Sequence, residues 1–439
     1  MTSTRRQFLA WSALTVGGAA VAGCGLTGRG TAPSPASTSE ATSAESLAAL
    51  AYWTAQQGAN GGSYGIGGAL VESATGRVLQ TMPNRVFRTL PQAVQPTAGQ
   101  TFVHDPTAHG ERQLMSWYLA NRDVLGLPDP AALTVVTSVD PCLMCANSIM
   151  TAGVNVGVVA PDNYSGVNYD LSGQFADLPE PLRTAATATF GYYAVEGGRA
   201  YQGSPSVAYS DQPISNSTYQ GCIDLYSSSA DTVRAARGTD ATAPSALTDP
   251  ATNPAAIDLV RAFQVVYPGA LEVKVKDTRA PDRRVVDALA TLVDQTPGAT
   301  NAVGFLDPFG NLLVAAADQS DVNPLSTAFA LCARAYSETR YALVANPATL
   351  PLAKQSLTNP NFGTFVFLRA PDPYTPEGMF DVGAYGSTMG SSATPLIPSA
   401  FQYVEPPPGV TTRQLQDVML TLPPLYSQGI KIQPQRVVA

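Results

Sequence analysis

The sequence predicts an α/β fold in three layers, with helices on both sides of a central sheet, followed by a second α/β half of similar plan. Three observations predict it. Short β-rich apolar runs alternate with stretches whose apolar residues recur at helical spacing. A hairpin pattern near residue 70 returns near residue 305. The residues able to do chemistry fall where loops give way to helices. At 439 residues the chain has room for two ordinary domains.

The elements follow in order. Residues 46–57 carry Leu47, Leu50, Ala51 and Trp53 at helical spacing, and the glycines from Gly58 to Gly65 end that helix. Residues 67–72 read as a strand, 73–76 as a turn and 77–80 as the return strand. A proline- and glutamine-bearing insertion follows at 87–101. Then come a helix at 109–121, a strand at 133–137, a second helix at 145–152 and a strand at 154–160. Residues 203–250 are rich in Ser, Thr, Ala and Pro and read as a connector. Beyond it, 283–294 reads as a helix with Val285, Val286, Leu289 and Leu292 on one side. Residues 302–306 and 311–315 form a hairpin, Asn323-Pro324-Leu325 opens a helix, and Phe365–Leu368 runs into Asp372-Pro373-Tyr374.

The net charge is −8, and the lysines are Lys274, Lys276, Lys354 and Lys431 alone. A protein that tracks a nucleic-acid backbone needs a basic footprint to release counterions. This composition has none, so the charge favours a small substrate over a nucleic-acid polymer.

The N-terminus stands apart from the fold. Thr4-Arg5-Arg6-Gln7-Phe8-Leu9 opens an apolar run to Ala22 that is too short to serve as a permanent span. It resembles a twin-arginine export signal, and Val21-Ala22-Gly23-Cys24 resembles a lipobox, with Cys24 as the acylated residue. The alternative is an ordinary signal peptide with Cys24 near its cleavage site. Low-complexity residues 27–46 suit a flexible tether. The resemblance implies export of a folded chain to the cell envelope, anchored to the outer face of the cytoplasmic membrane or held in the periplasm. Metal could then be loaded before the cysteines meet an oxidising compartment. Five cysteines are too few for a disulfide scaffold. Cys222 and Cys332 are left as either a disulfide or, the reading preferred, two buried thiols.

Two motifs carry the chemistry. His109-Gly110-Glu111 places a carboxylate two residues after a histidine, and Pro141-Cys142-Leu143-Met144-Cys145 presents two thiolates from one turn. His109, Cys142 and Cys145 form a three-ligand set that suits catalytic zinc, with one position left for water. Glu111 is then a base beside the metal, near enough to move protons without coordinating. A closed zinc knot needs a fourth ligand, and the other of the two histidines, His104, lies upstream in a loop. A redox CxxC leaves His109 and Glu111 unexplained.

His104-Asp105-Pro106-Thr107-Ala108-His109-Gly110-Glu111 is similar to the first motif of tRNA adenosine deaminases and guanine deaminases of the cytidine deaminase-like superfamily. Ser138–Ala146 resembles their second motif, with Ala152-Gly153-Val154 as its continuation, and Asn84-Arg85 resembles their Asn-Arg pair after the hairpin. The resemblance covers roughly residues 46–161. It implies a three-layer α/β/α deaminase fold, a zinc cofactor and hydrolytic deamination of a nucleobase, nucleoside or similar amino-heterocycle, with Asn84 contacting the base. Three features depart from the pattern. Gly110 stands where alanine is usual, costing up to ~1 kcal/mol of helix stability while letting a substrate approach the backbone closely. An insertion separates Asn84 from His109, and Asp140 replaces a more common glutamate. Phe87, Phe102, Trp117 and Tyr164 are candidates for an aromatic wall, each also readable as core.

The expected organisation is signal 1–24, tether 25–45, zinc deaminase domain 46–205, connector 206–250, degenerate deaminase-like domain 251–405 and tail 406–439. In the degenerate domain Thr327 and Phe329 stand for the His and Glu, and Tyr374 and Glu377 for the cysteines. That domain is expected to pack on the first, over the site or in place of a subunit contact. A non-catalytic zinc-bearing binding module is the competing reading, and Glu111 argues against it.

Overall fold

The computed structural model describes residues 40–94, 100–240, 243–389, 401–429 and 434–437. Arg5, Arg6 and Cys24, with the signal and most of the tether, lie outside them. The first half opens with helix α1 (Ala44–Asn60), started by a capping box in which Ser43 and Ser46 exchange hydrogen bonds. Strands β1 (Gly67–Glu72) and β2 (Val78–Pro83) form the first hairpin, and β3 (Phe87–Thr89) and β4 (Thr101–Val103) pair within the insertion. Helix α2 (Gly110–Leu125), β5 (Leu133–Val139), α3 (Leu143–Ala152) and β6 (Asn155–Ala160) follow. The half continues with α4 (Glu180–Thr189), β7 (Phe190–Tyr192), β8 (Gln202–Gly203) and α5 (Asn216–Asp240).

The sheet runs β2-β1-β5-β6-β7-β8. Strand parity builds the layers. Ala69, Val71, Val136 and Val159 point to one cluster with Leu47, Ala48 and Ala51 of α1 and Cys222 of α5. Leu70, Val135, Val156 and Val158 point to the other, with Leu114 and Met115 of α2, Ile149 of α3 and Leu182 of α4. The result is the three-layer α/β fold expected.

The second half holds α6 (Ile257–Val266), α7 (Arg283–Gln295), β9 (Ala302–Leu306), β10 (Leu312–Ala317), α8 (Ala328–Val344) and α9 (Leu350–Ser356). Then come β11 (Thr364–Arg369), α10 (Pro376–Met389), β12 (Phe401–Glu405), α11 (Thr412–Thr421) and β13 (Pro434–Arg436). Its sheet runs β10-β9-β11-β12-β13. Both sheets begin with two antiparallel pairings, β2/β1 and β1/β5 in one, β10/β9 and β9/β11 in the other. Both then continue with two parallel pairings, β5/β6/β7 and β11/β12/β13.

Two stretches differ from their expected character. The connector at 206–250 contains α5, whose Cys222 and Val233 are buried. Its Ser/Thr content masks an apolar stripe at Tyr219, Cys222, Ile223, Tyr226 and Val233, a helical spacing. The tail at 406–439 contains α11 and β13, and β13 completes the second sheet beside β12. Cys222 and Cys332 are separate free, buried thiols. Burial alone pushes the Cys332 thiol up, and Cys222 is pushed to about 12 chiefly by burial.

One apolar cluster runs through both halves. Helices α3 and α10 meet at Gly383, where a Cβ would lie 2.2 Å from the Met144 backbone nitrogen. No helix among the described residues is long and apolar enough to cross a membrane.

Candidate metal centre

His109 and Cys142 are the N-cap residues of α2 and α3, both in extended backbone conformation. The loop before His109 is tightened by Asp105, whose Oδ1 accepts from the backbone N–H and the hydroxyl of Thr107 at 2.8 and 2.7 Å. Cys142 follows Asp140-Pro141 at the end of β5, and Cys145 lies three residues on, one turn along the same helix face. The helix starts turn N–H groups toward this point, which favours thiolates there.

The donor atoms of His109, Cys142 and Cys145 all lie within 4.8 Å of one another, and among the described residues they form the group placed to hold a metal. The contact between His109 Nδ1 and Cys142 Sγ is 3.6 Å. Tetrahedral zinc with Zn–N of about 2.1 Å and Zn–S of about 2.3 Å places such atoms about 3.6 Å apart. Two sulfurs and one imidazole are also donors that select zinc over hard cations. The residues present therefore fit the metal.

Charge is distributed unevenly over the cluster. A hydrogen bond from Cys145 and the neighbouring His109 hold Cys142 well below the usual thiol range. Burial pushes Cys145 well above it. Burial opposes a charge on His109, but the Cys142 thiolate outweighs it and raises the imidazole. Glu111 is 2% exposed and is raised by burial. Its Oε1 accepts from Thr137 Oγ1 at 2.8 Å, and its Oε2 accepts from Cys145 Sγ at 3.5 Å. The carboxylate is thus fixed beside the two cysteine sulfurs, held by Thr137 of β5 and by Cys145 itself.

These four residues line a cavity of about 270 Å3. Tyr64, Tyr164 and Tyr226 supply its aromatic wall, and Arg234 of α5 also lines it. Gly386 and Ser387 of α10 and Leu425 complete it, so both halves of the chain form the cavity. Of the four aromatic wall candidates, Tyr164 lines it, whereas Phe87 and Phe102 are core.

Asn84 and Gly110 are placed differently from expectation. Asn84 lines a separate cavity with Arg85 and Arg88. Its Oδ1 accepts from Ser63 Oγ at 2.5 Å and the Val86 N–H at 3.1 Å, which holds the loop after β2. At Gly110 a Cβ would meet the Met82 carbonyl oxygen at 2.5 Å. The backbone that approaches this glycine closely is that of β2, so the residue lets α2 seat on the sheet.

Sequence reasoning passed over Asp162, Tyr226, Ser387 and Leu425. Asp162 follows β6, and its Oδ1 accepts the N–H groups of Tyr164 and Ser165 at 2.9 and 3.0 Å. Its Oδ2 accepts from Ser165 and from the Tyr226 hydroxyl, the latter at 3.3 Å. A polar turn after the apolar run Val156–Ala160 was the available signal. The other three come from distant segments and left no signal. Asp140, noted in the motif, is buried, pushed by burial to about 8, and accepts from Tyr192 and the Asn168 N–H.

The second half lacks this donor set at the matching helix starts. Thr327 caps α8 as His109 caps α2, and it hydrogen-bonds Asp381 of α10. Phe329 is fully buried and Glu377 is exposed.

No protein-family model matches the chain, and no curated protein matches it. Among solved structures it is similar to one from work on A-to-I editing by tRNA:A34 deaminases at the wobble position of transfer RNA. The identity is 24%, covering 28% of this chain and 80% of that one, with a TM-score of 0.22. It is also similar to a guanine deaminase from Nitrosomonas europaea at 14% identity, covering 45% of this chain and 90% of that one, with a TM-score of 0.27. Likeness at these scores assigns no role to any residue of this chain.

Proposed function

We propose that the chain is a zinc-dependent hydrolytic deaminase acting on a nucleobase, nucleoside or similar amino-heterocycle. The observation that carries this reading is the convergence of His109, Cys142 and Cys145 with the buried Glu111 carboxylate on one cavity. Zinc held there supplies Lewis acidity and makes water a better nucleophile. Glu111 takes one proton from the attacking water and passes it to a ring nitrogen. It then takes the second from the hydroxyl newly added to the ring carbon and delivers it to the departing amine as the C–N bond breaks and the C=O bond forms. Tyr64, Tyr164 and Tyr226 suit a flat ring, while Arg234 and Ser165 offer polar contacts along its edge.

The second half, 251–405, is read as a degenerate copy of the first, a reading supported by the shared strand order and sense. The chain is further read as an exported lipoprotein lipidated at Cys24. Mass spectrometry of the membrane-fraction protein tests this, and an unmodified Cys24 on a soluble mature chain overturns it.

The zinc-loaded chain is incubated with aminated purines, pyrimidines, their nucleosides and tRNA, and ammonia release is measured beside Glu111→Ala. The expected result is release from a small substrate, lowered at least ~10²-fold in the variant with zinc still bound. Zinc bound at one per chain with no release from any substrate favours the binding-module reading.

A further inference from the structure

We propose that Tyr426, from the far end of the chain, is a positioning residue of the metal centre that donates its hydroxyl proton to the Cys142 thiolate. The inference rests on the metal-site reading above. Tyr426 is completely buried, in the helical turn Leu425–Gly429 that follows α11. Its hydroxyl oxygen accepts the backbone N–H of Leu143 at 3.2 Å, across 283 residues of sequence. That N–H belongs to the first residue of α3, directly after Cys142. The same hydroxyl interacts with the Cys142 side chain. With its oxygen accepting from Leu143, the proton left to the phenol is directed to the sulfur.

The neighbouring backbone holds the turn in place. The Leu425 N–H donates to the Tyr164 carbonyl at 2.9 Å, and Leu425 lines the cavity. The segment therefore reaches both the cavity wall and the underside of the ligand-bearing helix. A thiolate that accepts a hydrogen bond gives less charge to its metal, and partners of this kind orient the ligand. Two thiolates and one imidazole make an electron-rich donor set, and a donor on one sulfur restores acidity to the metal. The second half, which among the described residues holds no comparable donor set, thus contributes to the chemistry of the first.

The test uses the full chain loaded with Co²⁺, whose sulfur-to-metal charge-transfer absorption reports thiolate electron density. Tyr426→Phe keeps the buried ring and removes only the hydroxyl. The expected result is a charge-transfer band moved to lower energy, with metal affinity about 10-fold weaker or more by chelator competition. Ser427→Ala, one residue along the same turn, is expected to leave the wild-type spectrum. An unchanged band and affinity in Tyr426→Phe overturn the proposal while leaving the metal site intact. A shift of equal size in Ser427→Ala also overturns it, because displacement of the turn would then be the cause. A wild-type chain that shows no such band removes the metal-site reading and this inference together.

Discussion

Glu111 shows how one residue's setting adjusts its chemistry. Burial raises its carboxyl, opposed by the charge of His109 and the Thr137 hydroxyl. In the metal-free chain this carboxyl should therefore titrate above the ordinary 4.5, read from the pH dependence of its carboxylate infrared band against Glu111→Gln. A midpoint at or below 4.5 would show that burial does not govern this carboxyl. Asp381 offers a stability counterpart in the second half. Burial pushes its carboxyl from 3.8 to about 7. Between those values the folded state holds the proton that the unfolded state has released. Stability therefore falls as pH rises from about 4 to about 7 and is level above it. Asp381→Asn cannot titrate, so its urea midpoint should gain on the wild type between pH 5 and pH 8. A difference between the two that does not change with pH would rule this out.

At the scale of elements, the site is a meeting of two helix starts. His109 and Cys142 are both N-cap residues, and this was legible because each motif follows a loop and precedes an apolar helical run. The pairing of α3 with α10 was not legible, because nothing local marks Gly383 as a contact. The glycine is required there by proximity, since a side chain would overlap the Met144 backbone rather than a movable side chain. Gly383→Ala should push the helices apart at a cost of about 1–3 kcal/mol, read as a lowered denaturation midpoint. Because α3 carries both thiolates, metal affinity should fall with it. A variant as stable as the wild type with unchanged affinity would show that the crossing has slack.

At the scale of the whole molecule, the first half does not close its own site. Its own α5 supplies Tyr226 and Arg234, but α10 of the second half supplies Gly386 and Ser387, and the turn after α11 supplies Leu425. A chain ending at Pro205 keeps all four motif residues but loses these walls. It also exposes the face of α3 that packs on α10, an apolar patch that invites aggregation. Such a chain should fail to give a soluble, metal-binding monomer by light scattering and metal analysis. A stable truncated chain with full activity would show the second half to be dispensable.

The sequence by itself determined the layered α/β plan, the hairpins and which three residues converge as the candidate metal centre. Each of these is written in local periodicity or in short motifs whose residue types are uncommon together. It read α5 as a connector because serine and threonine hid the stripe from Tyr219 to Val233. It placed Asn84 and Gly110 toward substrate, although the first holds a loop and the second admits the carbonyl of Met82. Only the tertiary structure decided what stands over and behind the site. Tyr226, Ser387, Leu425 and Tyr426 reach it from segments far apart in sequence, and such encounters depend on how whole layers pack rather than on any pattern within one segment.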